Sequence, residues 1–159
     1  MIIDHKLKNT FIKLIISEDQ AVGIYEAELF LKGQPKDVFQ RFLADEISHE
    51  KELIRIIDEM NWKFSCYQKL LLKMNRLLGW IIGVFLSITP RRLCFIFHHL
   101  GEEKAVEGYD ELRHFLDQNV NASLFESIQI KARLEKIIES EKQHVETFRS
   151  LLDNQLKEK

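Results

Sequence analysis

Twice in this chain a carboxylate and an imidazole occupy positions where a helix should bury apolar side chains. Phe39, Phe42, Glu46, His49, Leu53, Ile56 and Met60 recur at spacings of three and four, and so do Ile130, Leu134, Ile137, Glu141, His144, Phe148 and Leu151. That spacing is the buried stripe of an amphipathic helix. Each stripe carries Glu-x-x-His at its centre. An unpaired buried carboxylate is costly enough that it either neutralises or finds a partner. A metal ion held between helices is the simplest partner for both.

The rest of the sequence reads as helix. Only two prolines and six glycines interrupt 159 residues, and the apolar period stays near 3.6, which predicts an all-α single domain over 1–159. A first helix is expected from about Leu7 to Lys32, stopped at Gly33, with the stripe Phe11, Leu14, Glu18, Ala21, Tyr25 and Leu29. Glu18 interrupts that stripe as the Glu-x-x-His pairs interrupt theirs. Pro35 opens a second helix, about Lys36 to Met60, so the two form an antiparallel hairpin, and Asn61 to Ser65 leads out of it. The segment 67–90 is apolar and ends at Thr89-Pro90; it reads as the long crossover of a four-helix bundle. A third bundle helix is expected over Arg91 to Gln118. A turn over Asn119 to Ser123 follows, with Asn121 or Ser123 as cap, and a fourth helix runs nearly to the end, where Lys157 to Lys159 should fray.

In such a bundle, one Glu from each of two helices and Glu-x-x-His from each of the other two make a dinuclear carboxylate centre. Residues i and i+3 share a helix face a turn apart, so the carboxylate can bridge two metals while the imidazole caps one. The third bundle helix must supply the last acid. Its inward stripe reads Leu93, Ile96, Leu100, Glu103, Glu107, Asp110 and His114, which favours Glu107 and leaves Glu103 and Asp110 as rivals. The expected ligands are then Glu18, Glu46, His49, Glu107, Glu141 and His144. Oxygen-rich ligation with one His per metal suits two iron ions, with manganese as the alternative, better than zinc or copper. The competing reading is a structural bundle whose acids pair internally. It is disfavoured because neither Lys nor Arg lies on the same stripes.

Other residues carry less. His98-His99 read as a polar edge of the third helix, His5 and His114 as solvated, and Tyr25 and Tyr109 as amphipathic core residues. Cys66 and Cys94 lack metal-type spacing and point to a reducing compartment, hence a cytoplasmic location. A net charge of −2 offers no ground for nucleic-acid binding. Met1 to Asn9 lacks the apolar core of a secretory signal. The run Leu77 to Ile88 falls short of the roughly 20 residues that span a bilayer, so it is not expected to cross one; an interfacial helix fits it, and so does a dimer interface or a buried crossover. Lys69, Lys73 and Arg76 precede that run.

These residues resemble the demethoxyubiquinone hydroxylase family, a ferritin-like di-iron group of ubiquinone biosynthesis. Glu18-x-x-Ala21-x-x-Ile24-Tyr25 with Gly33 is similar to its first ligand motif, and Glu46-x-x-His49 to its second. Trp80-x-x-Gly83 is similar to its segment before the third helix, Ala105-Val106-Glu107 to its third motif, and Glu141-x-x-His144 to its fourth. The resemblance runs from about Leu14 to Phe148 and selects Glu107. It departs at Ser17-Glu18-Asp19-Gln20, where that family has a Gly-Glu-Tyr-Gly context. It implies a di-iron monooxygenase that uses O2 to hydroxylate a demethoxyubiquinol-type ring, with electrons from NADH or from the quinol. The partners it implies are O2, a prenylated quinone and a membrane surface at the inner face of the cell membrane, reached by the apolar crossover. Assembly of several copies is compatible with it. A ferritin-like oxidase, peroxidase or iron-handling protein would use the same ligands.

Overall fold

The computed structural model describes the backbone of residues 2–31, 35–119 and 124–157, and the side chains of 5–31, 35–118 and 129–156. Among the described residues there are five α-helices and no strand: α1 (Ile2–Phe30), α2 (Lys36–Glu59), α3 (Cys66–Ile88), α4 (Arg91–Asn119) and α5 (Leu124–Lys157). The expected stop at Gly33 and the expected cap at Asn121 or Ser123 lie outside the described residues. The chain divides into two compact units. One joins Lys8–Thr89, and the other joins Pro90–Lys159 with Met1–Leu7.

The Lys8–Thr89 unit is built around α1, which is buried on more than one side. Phe11, Leu14, Ile15, Glu18, Val22 and Tyr25 are buried, but so are Asp19, Ile24, Ala27 and Glu28. A helix apolar nearly all round is one with neighbours on several faces. Against α2, Tyr25 lies 5.8 Å from Phe39 and 6.0 Å from Phe42, ring centre to ring centre. Against α3 the backbones themselves meet. A methyl group at Gly23 would run into the carbonyl of Arg76, one at Gly79 into that of Gln20, and one at Gly83 into that of Ile24. Glycine is required at these three positions because a Cβ would hold the helices apart.

The ends of the elements follow local chemistry. Asn61 takes a left-handed φ of 53°, and the Asn61 and Trp62 amides donate to the carbonyls of Asp58 and Ile57, which closes α2 in a Schellman motif. Ser65 and Gln68 form a reciprocal capping box that starts α3. Thr89 is extended, as a residue before proline must be, and the Pro90 carbonyl accepts from Leu93 and Cys94 at the start of α4.

The segment 67–90, expected as the crossover, is one helix of 23 residues, and the whole of it, not only the run Leu77 to Ile88, is long and apolar enough by length and composition to cross a membrane. The helix includes Lys69, Lys73 and Arg76, and no acid occurs within it. Only Gly79, Gly83 and Leu86 are buried, while Leu70, Met74, Leu77, Phe85 and Ile88 are exposed. In the other unit, α4 packs along α5. Phe95 meets Phe148 at 6.1 Å, and Lys6 sits over the Phe115 ring at 5.2 Å.

Candidate metal centre

Each unit gathers one triad of buried side chains, two carboxylates and an imidazole, from two helices. In the Lys8–Thr89 unit, α1 presents Glu18 and α2 presents Glu46 and His49, with His49 Nδ1 at 3.6 Å from Glu18 Oε2. In the other, α4 presents Glu102 and α5 presents Glu141 and His144. His144 Nδ1 lies 3.5 Å from Glu102 Oε2 and 3.6 Å from Glu141 Oε2. All six residues are buried, Glu141 completely. Within each triad one ligand atom per residue falls within 4.8 Å of the others.

These separations also fit a shared ion: the His144–Glu102 contact of 3.5 Å is at the outer limit of a hydrogen bond, and the two of 3.6 Å are longer. Two donors each about 2.1 Å from one ion stand roughly 3 to 3.5 Å apart. The electrostatics agree. Burial pushes the Glu102 carboxyl above its ordinary range, opposed chiefly by its hydrogen bond with His144. A cation would hold that carboxyl ionised where the protein interior alone favours its neutral form.

Glu107 is not part of this arrangement. It lies exposed on α4 and pairs with Lys104. Its rivals are engaged elsewhere as well: Glu103 faces His99 at 3.5 Å, and Asp110 pairs with Arg113 at 2.9 Å. Glu102 takes the place expected for Glu107. The reason is that the first half of α4 is apolar on two sides. Leu93, Phe97 and Leu100 are exposed, whereas Cys94, Phe95 and His98 are buried. The stripe through Leu93 and Leu100 is therefore the outer one, and the buried stripe through Phe95 and Glu102 is offset from it by two residues, about 200° around the helix.

A signal for Glu102 was present in the chain. Residues 18–25 read EDQAVGIY and residues 102–109 read EEKAVEGY, with Phe11 and Phe95 each seven residues before the acid. Phe11, Glu18 and Tyr25 are buried, and so are Phe95, Glu102 and Tyr109. This internal repeat aligns Glu102 with Glu18. It leaves Glu107 opposite Gly23.

The remaining expectations divide. Glu18, Glu46, His49, Glu141 and His144 lie in the triads, and Tyr25 and Tyr109 are core residues. His5 and His114 are exposed. His98 is not a polar edge: it is buried and stacks on Phe148, with ring centres 4.9 Å apart and planes 6° from parallel. His99 is half-buried and its Nδ1–H donates to the Val145 carbonyl at 3.3 Å. Asp19 and Glu28 are buried acids with no place in the stripe reading. Asp19 pairs with Arg76 at 3.4 Å. Burial raises its carboxyl above the ordinary range, and the Arg76 charge pulls the other way. Glu50, next to His49, is likewise raised, first by burial and then by the Asp19 charge.

Comparison with known protein families, with curated proteins and with solved structures gives no match to this chain.

Proposed function

We propose that the two triads bind a pair of transition-metal ions, iron with manganese as the alternative, in a ferritin-like four-helix bundle, and that the protein is an O2-dependent oxidoreductase. The observation that carries this is the duplication: two buried sets of two carboxylates and an imidazole, each on a helix pair bearing the same repeat. Four carboxylates offset two divalent ions, and oxygen-rich donors with one imidazole per ion select iron or manganese. Bound iron supplies the redox chemistry that activates O2. The chain itself holds Glu18, Glu46 and His49 for one ion and Glu102, Glu141 and His144 for the other. Phe39, Phe42, Phe95 and Phe148, all buried, keep water from the helices that carry them.

Within this reading the substrate we favour is a demethoxyubiquinol-type ring, hydroxylated by O2 as in ubiquinone biosynthesis. Its support is the resemblance of the Glu18, Glu46 and Glu141 motifs and of Trp80-x-x-Gly83. The exposed apolar side of α3, flanked by Lys69 and Lys73, suits peripheral contact with the inner face of the cell membrane, where a prenylated quinone resides. The alternative is a ferritin-like oxidase, peroxidase or iron-handling protein. One observation favours it: the part of the resemblance resting on Ala105-Val106-Glu107 loses its ligand, because Glu107 is on the surface.

Anaerobic loading with Fe(II), read by elemental analysis, tests the site. About two ions per chain are expected, with magnetic coupling between them if they form one dinuclear centre. Fewer than about one per chain would refute the metal reading. Quinone profiling of a strain lacking the protein then tests the substrate. A demethoxy intermediate should accumulate, and an unchanged profile would leave the oxidase or iron-handling alternative.

A further inference from the structure

The two triads are not supported alike, and the difference centres on Arg76. This residue projects from α3 between two acids of α1. Its Nη2 donates to Glu26 Oε1 at 2.6 Å and its Nε to Glu26 Oε2 at 3.4 Å, while Nη1 reaches Asp19 Oδ1 at 3.4 Å. Asp19 immediately follows the triad residue Glu18, is almost wholly buried, and its Oδ2 has no hydrogen-bond partner. On the same stretch of α1, Gln20 and Ile24 meet the backbone at Gly79 and Gly83, and Gly23 meets that of Arg76. A seam of backbone on backbone has no side chains to absorb movement, so a shift of α3 is passed to the turn carrying Glu18. Nor can the turn rotate freely, since Asp19, itself buried, would then lose the cation that faces it.

We infer that Arg76 and the glycine seam of α3 are a positioning device for one triad only, holding the α1 turn so that Glu18 meets Glu46 and His49. It rests on the proposed metal reading and adds a role for α3 independent of any membrane. Electrostatics alone predict the opposite outcome for Arg76, because removing a positive charge near a cation site should tighten cation binding. The two accounts therefore differ in sign.

The test is a Zn(II) titration of the full chain labelled at histidine, with the His49 and His144 imidazole resonances reporting the two triads separately. In the unaltered protein both should respond. Arg76→Met should weaken Zn(II) binding seen at His49 roughly tenfold, the scale of losing a residue that orients a ligand, and leave His144 within about twofold. Asp19→Asn should do the same, and the double variant should lose no more than either single one, because both act through one contact. Gly79→Ala, which changes no charge, should weaken His49 in the same direction. Should Arg76→Met fail to fold, Arg76→Lys keeps the charge beside Asp19 and gives up the fork on Glu26, for an expected loss of about threefold at His49 alone. Unchanged or tighter binding at His49 in a folded variant overturns the inference, and so does an equal loss at His144, which would mean general loosening. No response at either histidine of the unaltered protein would instead sink the metal reading and the device with it.

Discussion

The Glu18 triad and the Glu102 triad have the same chemistry and share a local repeat, identical at four of eight positions, yet within their own units they are set in different surroundings. Around Glu18 there is a third helix, a seam of glycines and an ionic cluster of Asp19, Glu26, Glu50 and Arg76. Within its own unit, Glu102 lies on a helix that packs along α5, and a polar residue one turn before it, His98, is stacked on Phe148. A repeat of eight residues places an acid on a helix. What holds that acid in position is decided by whatever packs behind it.

The comparison breaks most severely if the triads are not metal sites. Replacing Glu141 by Gln should cost the most, lowering the iron content of loaded protein to about half, with the loss confined to the triad containing His144. An unchanged iron content would remove Glu141 from the ligand set.

Next in size is the register of α4. Glu102→Gln should weaken metal binding by at least tenfold, whereas Glu107→Gln should leave both iron content and melting temperature where they were. The reverse outcome would restore the stripe through Leu93 and Leu100 and undo the equivalence of Glu102 with Glu18.

The seam should show itself in stability. Gly83→Ala forces a methyl group toward the Ile24 carbonyl, and overpacking of this kind costs about 1–3 kcal/mol in chemical denaturation. Gly101, whose added Cβ would meet nothing within 4 Å, is the control, and Gly101→Ala should be neutral or slightly stabilising in the same helical geometry. Equal effects at the two positions would mean that the close approach of α1 and α3 does not exist in solution.

The smallest effect is a dependence on pH. Glu102 is raised from an ordinary 4.5, Asp19 from 3.8 and Glu50 from 4.5, each mainly by burial. An acid whose folded pKa is raised favours the folded state while protonated. That contribution is present below the ordinary value and is lost as pH rises through the folded value. Metal-free protein should therefore lose stability as pH rises from about 4 toward neutrality. Metal-loaded protein should lose less, because the ion favours the ionised carboxylates. Parallel profiles with and without metal would argue against ion binding at these acids.

Much of this was legible from the order of residues. The period of 3.6 gives helices, and the stripes on α2 and α5 are unambiguous because their opposite faces are polar; Glu46, His49, Glu141 and His144 could be read directly. Glu18 was legible as the acid that interrupts the stripe Phe11, Leu14, Ala21 and Tyr25, although α1 is apolar on several sides. On α4 the reading failed where Leu93, Phe97 and Leu100 form an apolar outer face, since periodicity cannot tell a buried apolar face from an exposed one. Only the internal repeat, EDQAVGIY against EEKAVEGY, carried that information.

The sequence by itself determined the all-helical class, the helix ends set by Asn61, Ser65 and Pro90, and five of the six triad residues, because each depends on local backbone preference or on which face of one helix is apolar. Tertiary structure decided the rest: Glu102 in place of Glu107, His98 inside rather than at the edge, and α3 as a helix locked to α1 by Gly23, Gly79, Gly83 and the Asp19–Arg76 pair. These depend on which surfaces meet. A glycine reads as a weak helix residue until another backbone lies against it, and a buried Asp reads as a surface acid until its Arg, 57 residues away, is brought within 3.4 Å.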